Sequence, residues 1–335
     1  MIEVAIVGGG PAGAYCAYCL AENGIYTVIF DHSHPREKPC AGIISPIAQD
    51  LFPFLKKLPI EHTRRKTVYF ISPSGRKVPI TIRNSEIICL SRLKFDQFLL
   101  NMALSRGAKL IKEKVIDLKK WRQFWKIKTT RGVYVAKKLV GADGVNSIVR
   151  AKATTPLKGT DKGVCYGYFI KGLDNEDIVL YFLPHRKGYI WVSPRINVSS
   201  VGIGCAEISR AKGIRGELDA FINRHYPNIK IISRWAALIP NIKDKKTLNV
   251  PIAGKTWILI GDAAGHVNPI SGEGILYALL GGELAAQAIS ENDMLTFEKL
   301  WREAYGLNLQ LCIELKNWIY KKPITELFCE YLRIK

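Results

Sequence analysis

The chain opens on an apolar run, Val4-Ala5-Ile6-Val7, which stops at Gly8-Gly9-Gly10-Pro11-Ala12-Gly13 and gives way to helix-compatible residues from Ala14 to Glu22. A continuous apolar run suits a strand buried on both faces, and the change of period after the glycines predicts strand, tight turn and helix. A second run, Tyr26 to Phe30, ends at Asp31, and a third strand is predicted over Ala108 to Ile116. Leu139-Val140-Gly141-Ala142 leads into Asp143-Gly144, and Thr256 to Ile260 leads into Gly261-Asp262. A long apolar helix is predicted from Ile275 to Ile289. Elsewhere the pattern alternates. Thr67 to Ile82 reads as a hairpin around Ser72-Pro73-Ser74-Gly75, and Ile178 to Leu183, Tyr189 to Val192 and Val198 to Ile203 are short strands joined by turns, which predicts an antiparallel sheet. From Asn292 the pattern is helical, with apolar Leu295, Leu300, Trp301, Leu307, Leu311, Leu315, Trp318 and Ile319.

The glycines carry the first chemistry. Gly8 permits the tight turn, Gly10 lets a pyrophosphate approach the backbone, Ala12 lies in the same turn, and Gly13 lets the helix lie close to the strand. The helix start offers unpaired N–H groups and the positive end of its dipole to phosphates. Asp31, about 20 residues past the glycines, is placed where a dinucleotide's ribose hydroxyls are expected. The second cluster, Gly261-Asp262-Ala263-Ala264-Gly265, sits at the carboxyl end of a buried strand, where ligands bind in open α/β sheets. A carboxylate such as Asp262 only accepts hydrogen bonds, which suits a polyol like the ribityl chain of FAD. Gly272-Glu273-Gly274-Ile275 then opens the long helix, whose first N–H groups would favour the anionic reduced state of a flavin. The pair of signatures, in this order, specifies FAD.

Tyr189 and Trp191 fall on one face of their strand, because side chains repeat every two residues. They suit either an apolar slot for a long hydrocarbon or the packed core of the sheet. Eight cysteines in 335 residues without a secretory signal argue against a disulfide framework. Cys16 and Cys19 lie inside the first helix and read as packing, whereas Cys40 lies in a Pro- and Gly-rich loop beyond the second strand.

With the segment Leu139 to Arg150, the two signatures resemble the flavoprotein family of aromatic hydroxylases, flavin halogenases and geranylgeranyl reductases, in matching order over residues 1 to about 290. Three smaller motifs are similar to those of the geranylgeranyl (digeranylgeranylglycerophospholipid) reductases: Lys38-Pro39-Cys40-Ala41-Gly42, Tyr189-Ile190-Trp191-Val192-Ser193-Pro194 followed by Gly202-Ile203-Gly204, and Gly272-Glu273-Gly274-Ile275. Ser193 stands where those reductases have Phe. The resemblance implies an α/β fold: a Rossmann-like FAD-binding domain, an α+β antiparallel-sheet substrate domain of hydroxylase-like architecture, and a short C-terminal helical region. The expected boundaries are 1–62, 84–155 and 250–290 for the cofactor domain, 63–83 and 156–249 for the substrate domain, and 291–335 for the tail.

By the same resemblance Cys40 lies beside the isoalloxazine and is the candidate proton donor. Ala41, Gly42, Gly272, Gly274 and Ile275 join it around the cofactor. Arg92, in Ser91-Arg92-Leu93-Lys94-Phe95-Asp96, helps hold the cofactor, with a surface salt bridge as its other reading, and the backbone of Val115 meets the adenine. Tyr189, Trp191 and Pro194 line the substrate site. His266 replaces the usual apolar residue between Ala-Ala-Gly and Val-Asn-Pro. No metal site is expected. The implied activity is FAD-dependent saturation of C=C bonds in geranylgeranyl or related prenyl chains, on geranylgeranyl diphosphate or a prenyl lipid. No second Gly-x-Gly-x-x-Gly is present for a nicotinamide domain, so NADPH binding transiently, or ferredoxin, is the expected reductant. The alternatives are a monooxygenase or halogenase on the same fold, and a non-catalytic flavin-containing prenyl-lipid binder or electron relay.

A hydrophobic content of 48% is ordinary, but the formal net charge is +20. The basic residues are dispersed, without a nucleic-acid motif beside them, so a nucleic-acid partner is not favoured. A pyrophosphate-bearing prenyl substrate or an anionic membrane surface fits the charge better. The first strand begins directly after Met1 and no apolar run is long enough to span a bilayer, which predicts a cytoplasmic protein, at most peripheral to the inner membrane face.

Overall fold

The computed structural model describes residues 1–173 and 176–334. Positions 174–175 of the expected substrate domain and Lys335 of the expected tail lie outside the described residues. The chain divides into two compact units: Met1–Arg36, Leu93–Asp161 and Pro240–Ile313 form the first, and Glu37–Arg92, Lys162–Ile239 and Glu314–Lys335 the second.

The first unit is built on an eight-stranded mixed sheet. Ile2–Val7 runs parallel to both Val133–Gly141 and Thr27–Phe30, and Thr27–Phe30 in turn runs parallel to Lys109–Ile111. Trp257–Leu259 pairs parallel with the end of Val133–Gly141, while the start of that strand pairs antiparallel with Phe124–Thr129. Val4, Ile6, Val28 and Ile29 are fully buried, as strands covered on both faces require. Pro11 begins the helix Pro11–Glu22, where its missing N–H costs no hydrogen bond, and Gly24 at φ +72° closes the turn after it. The expected strand Ala108 to Ile116 is two elements. Glu113 N–H turns back onto Ile111 O at 2.8 Å, and a second strand, Val115–Trp121, starts after the turn and pairs with Phe124–Thr129.

The second unit carries a seven-stranded sheet in the order Lys230–Pro240, Lys162–Lys171, Ser199–Cys205, Gly188–Ser193, Ile178–Phe182, Thr67–Ile71, Lys77–Thr81. The expected antiparallel pairing holds through its centre, but Ile178–Phe182 and Thr67–Ile71 run parallel. One face packs Ile190, Val192, Val201 and Ile203 against Leu218, Phe221 and Ile222 of the helix Ile214–His225. The hairpin strand Lys77–Thr81 lies at the sheet edge, where Pro79 costs no ladder bond. A small three-stranded sheet, Ile43–Ile44, Ile87–Leu90 and His62–Arg65, completes the unit.

The tail does not stand as a third unit. Residues 291–313 cluster with the first unit. The helix Lys322–Ile334 belongs to the second, where Cys329 shares a core with Val78 and Phe182 and Glu326 accepts from Ser74 N–H at 2.7 Å. That helix packs on one face of the hairpin, burying Val78, while Lys77, Pro79 and Thr81 stay exposed. Segment 37–62 also belongs to the second unit rather than with the cofactor strands.

Candidate functional site

In the first unit the two glycine signatures meet. A Cβ on Gly261 would stand 3.0 Å from the Cβ of Ala12, and one on Gly282 would stand 2.9 Å from Ala12 O. The helices Pro11–Glu22 and Ile275–Ser290 therefore approach almost backbone to backbone beside the first glycine turn. Gly8 has φ +106° and its position for a Cβ is filled by Ala142 O, while that of Gly13 is filled by Gly8 O. No other residue fits either place. Gly10 is the residue preceding the helix, and no side chain caps the helix start. This cradle fits a dinucleotide pyrophosphate.

Asp31 departs from its expected role. Its Oδ2 accepts from Gly9 N–H at 2.7 Å and from His34 Nδ1 at 2.8 Å, and its Oδ1 accepts from the backbone N–H groups of Ser33 and His34 at 2.7 and 2.8 Å. Burial alone would raise its carboxyl, but the hydrogen bond and charge of His34, with the N–H of Gly9, hold it well below the usual carboxylate range. The carboxylate thus braces the glycine turn with its own chain, leaving little acceptor capacity for ribose hydroxyls.

The second signature forms a short helical turn, Gly261–Ala263, directly after the buried strand Trp257–Leu259. Asp262 is partly exposed there, and its Oδ1 lies 3.6 Å from where a Cβ on Gly274 would be. Arg150, almost completely buried, donates to Ala263 O at 3.1 Å and to Thr155 O at 2.7 Å, which ties the turn to the helix Ile148–Ala153. Asp143 is spent on that helix, accepting from Ser147 Oγ and from Ile148 N–H at 2.7 Å. Asn268 organises the next loop: its Oδ1 accepts from Ile270 and Ser271 N–H at 2.9 and 3.1 Å. Gly272 follows at φ +71°, and Gly274 leads into Ile275–Ser290. His266 is buried with its ring stacked 3.6 Å from Trp301, and burial, with the charges of Arg150 and Arg302, pushes its pKa well down. Val115 is buried at the start of its strand.

In the second unit, Cys40 and its loop are held by a residue that sequence reasoning missed. Arg195, only 2% exposed, donates to Ala41 O at 3.1 Å, to Glu37 Oε1 at 2.9 Å and to Cys40 O. Glu37 also accepts from Ser91 Oγ and from Arg92 N–H at 3.1 Å, so Arg92, itself buried, joins this cluster. Gly42 N–H donates to Cys40 Sγ at 3.3 Å, and Gly42 has φ +66° with Leu90 O and the Arg195 guanidinium where a Cβ would be. The signal for Arg195 was its place directly after Pro194, whose own carbonyl accepts from Thr63 Oγ1 at 2.6 Å.

Tyr189 and Trp191 do share a face. Trp191 is buried and stacks on Trp235 at 5.8 Å, in one cluster with Phe169, and Ala41, Cys165 and Tyr189 pack around it. Trp191 lies directly across from Gly202, and Tyr189 from Gly204. The indole fills the space a side chain at 202 would need. The Tyr-x-Trp and Gly-x-Gly motifs are thus one packing unit.

The fold and the first unit's glycine cradle define a dinucleotide-binding oxidoreductase of the hydroxylase-like flavoprotein class. Residues 6–35 match the NAD(P)-binding Rossmann-like domain family. A geranylgeranyl bacteriochlorophyll reductase-like protein from Thermoplasma acidophilum superposes with a TM-score of 0.83 at 23% identity, covering 99% of this chain and 91% of that one. A flavin-dependent brominase shares the fold at a TM-score of 0.76 and 19% identity, covering 99% of this chain and 92% of its own. The digeranylgeranylglycerophospholipid reductase of Methanococcus vannielii is 30% identical over 97% of this chain and 88% of its own length. The geranylgeranyl diphosphate reductase of a Synechocystis strain is 28% identical over 98% and 88%. The chain belongs to the geranylgeranyl and digeranylgeranylglycerophospholipid reductase family.

Proposed function

We propose that this protein is an FAD-dependent reductase that saturates C=C bonds of geranylgeranyl or related prenyl chains in lipid biosynthesis. The relation to the Methanococcus reductase over 97% of the chain is the observation that carries this substrate class. The brominase likeness supports only a common fold. Reduced FAD, when bound, supplies a hydride to the alkene. The residues that would hold it in the first unit are Gly8, Gly10, Ala12 and Gly13 at the pyrophosphate, Asp262 at the polyol, and Gly272, Gly274 and Ile275 at the flavin. The expected role of Asp31 reduces to bracing the glycine turn, while the backbone of Val115 stays proposed at the adenine.

The protein's share of the chemistry is orientation, exclusion of water and a proton. An isolated alkene offers no charge for side chains to polarise, so positioning dominates what the protein adds. Cys40 is the proposed proton donor, its loop fixed through Ala41, Gly42, Arg92 and Arg195. Tyr189, half-buried beside the Trp191–Trp235 stack with Trp191 and Pro194 buried behind it, is the proposed aromatic edge of the substrate site. NADPH or ferredoxin is the proposed source of electrons.

A peripheral position on an anionic membrane also fits. No helix of the described residues is long and apolar enough to cross a membrane. Leu307, Leu311, Leu315 and Trp318 are 66, 47, 54 and 59% exposed along one stripe of the helix Leu307–Ile319, in a chain of net charge +20. Incubating the protein, its FAD reduced by dithionite, with geranylgeranylated glycerophospholipid in vesicles tests the reading. Products heavier by two hydrogens per double bond are expected, and unchanged lipid would oppose it.

A further inference from the structure

His34 sits between two carboxylates at the edge of the glycine cradle. Its Nδ1 donates to Asp31 Oδ2 at 2.8 Å, and its Nε2 stands 3.4 Å from Oδ2 of the fully buried Asp96. The ring is 12% exposed, and Nε2 is buried without a hydrogen bond among the described residues. That edge of the ring faces Gly10: Nε2 lies 3.6 Å and Cε1 3.9 Å from where a Cβ on Gly10 would be. Gly10 is the position at which such a turn admits a pyrophosphate to the backbone. An imidazolium has two N–H donors, and here one is committed to Asp31 while the other has no aligned acceptor.

We propose that His34, as an imidazolium, donates from Nε2 to a phosphate oxygen of the bound dinucleotide and is this chain's principal polar side-chain contact to the adenosine diphosphate half. The inference rests on the FAD reading above. Electrostatics argues the same way. With His34 neutral, Asp31 and Asp96 would present two carboxylates to an anionic pyrophosphate; protonation cancels one of those charges. Burial disfavours the charged ring, but the hydrogen bond and charge of Asp31, with the negative charge of Asp96 beside Nε2, outweigh burial and raise its pKa above the ordinary histidine value.

The test is affinity, read without turnover. FAD and ADP are titrated into apo protein by fluorescence and calorimetry across pH 6 to 10, for wild type, His34→Gln and His34→Leu, with thermal melts confirming folding. For wild type, both ligands should weaken about tenfold as pH rises through the His34 titration, the loss of one charge-assisted hydrogen bond. His34→Leu should bind about tenfold more weakly at low pH, and both variants should lose the pH dependence. His34→Leu binding both ligands with wild-type affinity and profile would overturn the proposal. If His34→Leu does not fold, the imidazole nitrogen-15 shifts of the wild type decide: Nε2 should move on adding ADP, and an unmoved signal overturns it. Wild type that binds no FAD at any pH would instead sink the cofactor reading itself, and this inference with it.

Discussion

Ala12 and Gly261, 249 positions apart in the chain, stand so close that a methyl group on Gly261 would lie 3.0 Å from the methyl of Ala12. Gly261 also has φ +57°, so a side chain there would be strained whatever the space. The two halves of the cofactor cradle are therefore one packed object, and disturbing either should disturb both.

Neighbouring glycines in the helix Ile275–Ser290 should respond with opposite sign. A Cβ on Gly282 would meet Ala12 O at 2.9 Å and Cys16 N at 3.0 Å, both rigid backbone, whereas one on Gly281 finds its nearest atom at 3.4 Å. Gly282→Ala should cost about 1–3 kcal/mol and weaken FAD binding. Gly281→Ala should be near neutral or stabilise by up to about 1 kcal/mol through helix propensity. Thermal melts with FAD titrations read both.

The aromatic face of the second unit makes a similar distinction. Gly202 lies under the Trp191 indole, while a Cβ on Gly204 has no atom nearer than 3.7 Å. Gly202→Ala should lower stability by about 1–3 kcal/mol and red-shift tryptophan emission as the Trp191–Trp235 stack opens. Gly204→Ala should leave both nearly unchanged.

Arg195 should prove the anchor of the Cys40 loop. Arg195→Ala removes a buried cation from Glu37 and from two loop carbonyls, a loss of about 3 kcal/mol. Arg195→Lys keeps the charge but not the planar fork, and should recover only part of it. Iodoacetamide labelling of Cys40, followed by peptide mass, should accelerate in Arg195→Ala. Unchanged labelling would remove the anchoring role.

His266 should make the fold sensitive to acid. Its folded pKa is depressed, so the unfolded chain takes up the proton more readily, and stability is lost as pH falls below about 6.5, the unfolded histidine value. His34 has the reverse sign: its contribution is full below about 6.5 and fades as pH rises through its raised folded value. His266→Leu, which keeps an apolar partner for Trp301, should flatten the stability profile between pH 6.5 and 5 in urea melts while leaving the alkaline side unchanged.

What was legible in the sequence is what is local. Val4 to Val7, the glycine turn and the strand before Asp262 are specified by contiguous residues, and their structures follow the pattern. The strand pair around Trp191 was legible because each strand is a short apolar run bounded by turn residues. Partners remote in sequence were not. Arg195 meets Glu37 across 158 positions, and nothing in either segment announces the other. Asp31 stood where a ribose acceptor is expected, and only the fold shows its oxygens turned onto Gly9, Ser33 and His34. The helix Lys322–Ile334 has an amphipathic pattern that suits many surfaces, and its packing on Val78 could not be read from that pattern.

The most direct test of the whole account is single-turnover reoxidation of the reduced flavin without oxygen. Wild-type protein reduced anaerobically should stay reduced alone and reoxidise on adding geranylgeranyl lipid, with one C=C saturated per flavin. Cys40→Ala should retain FAD and slow that step by about 10²-fold or more, as loss of a general acid does. Flavin that ignores the prenyl substrate and reoxidises only when oxygen is admitted would contradict the account and point to oxygen chemistry on the same fold.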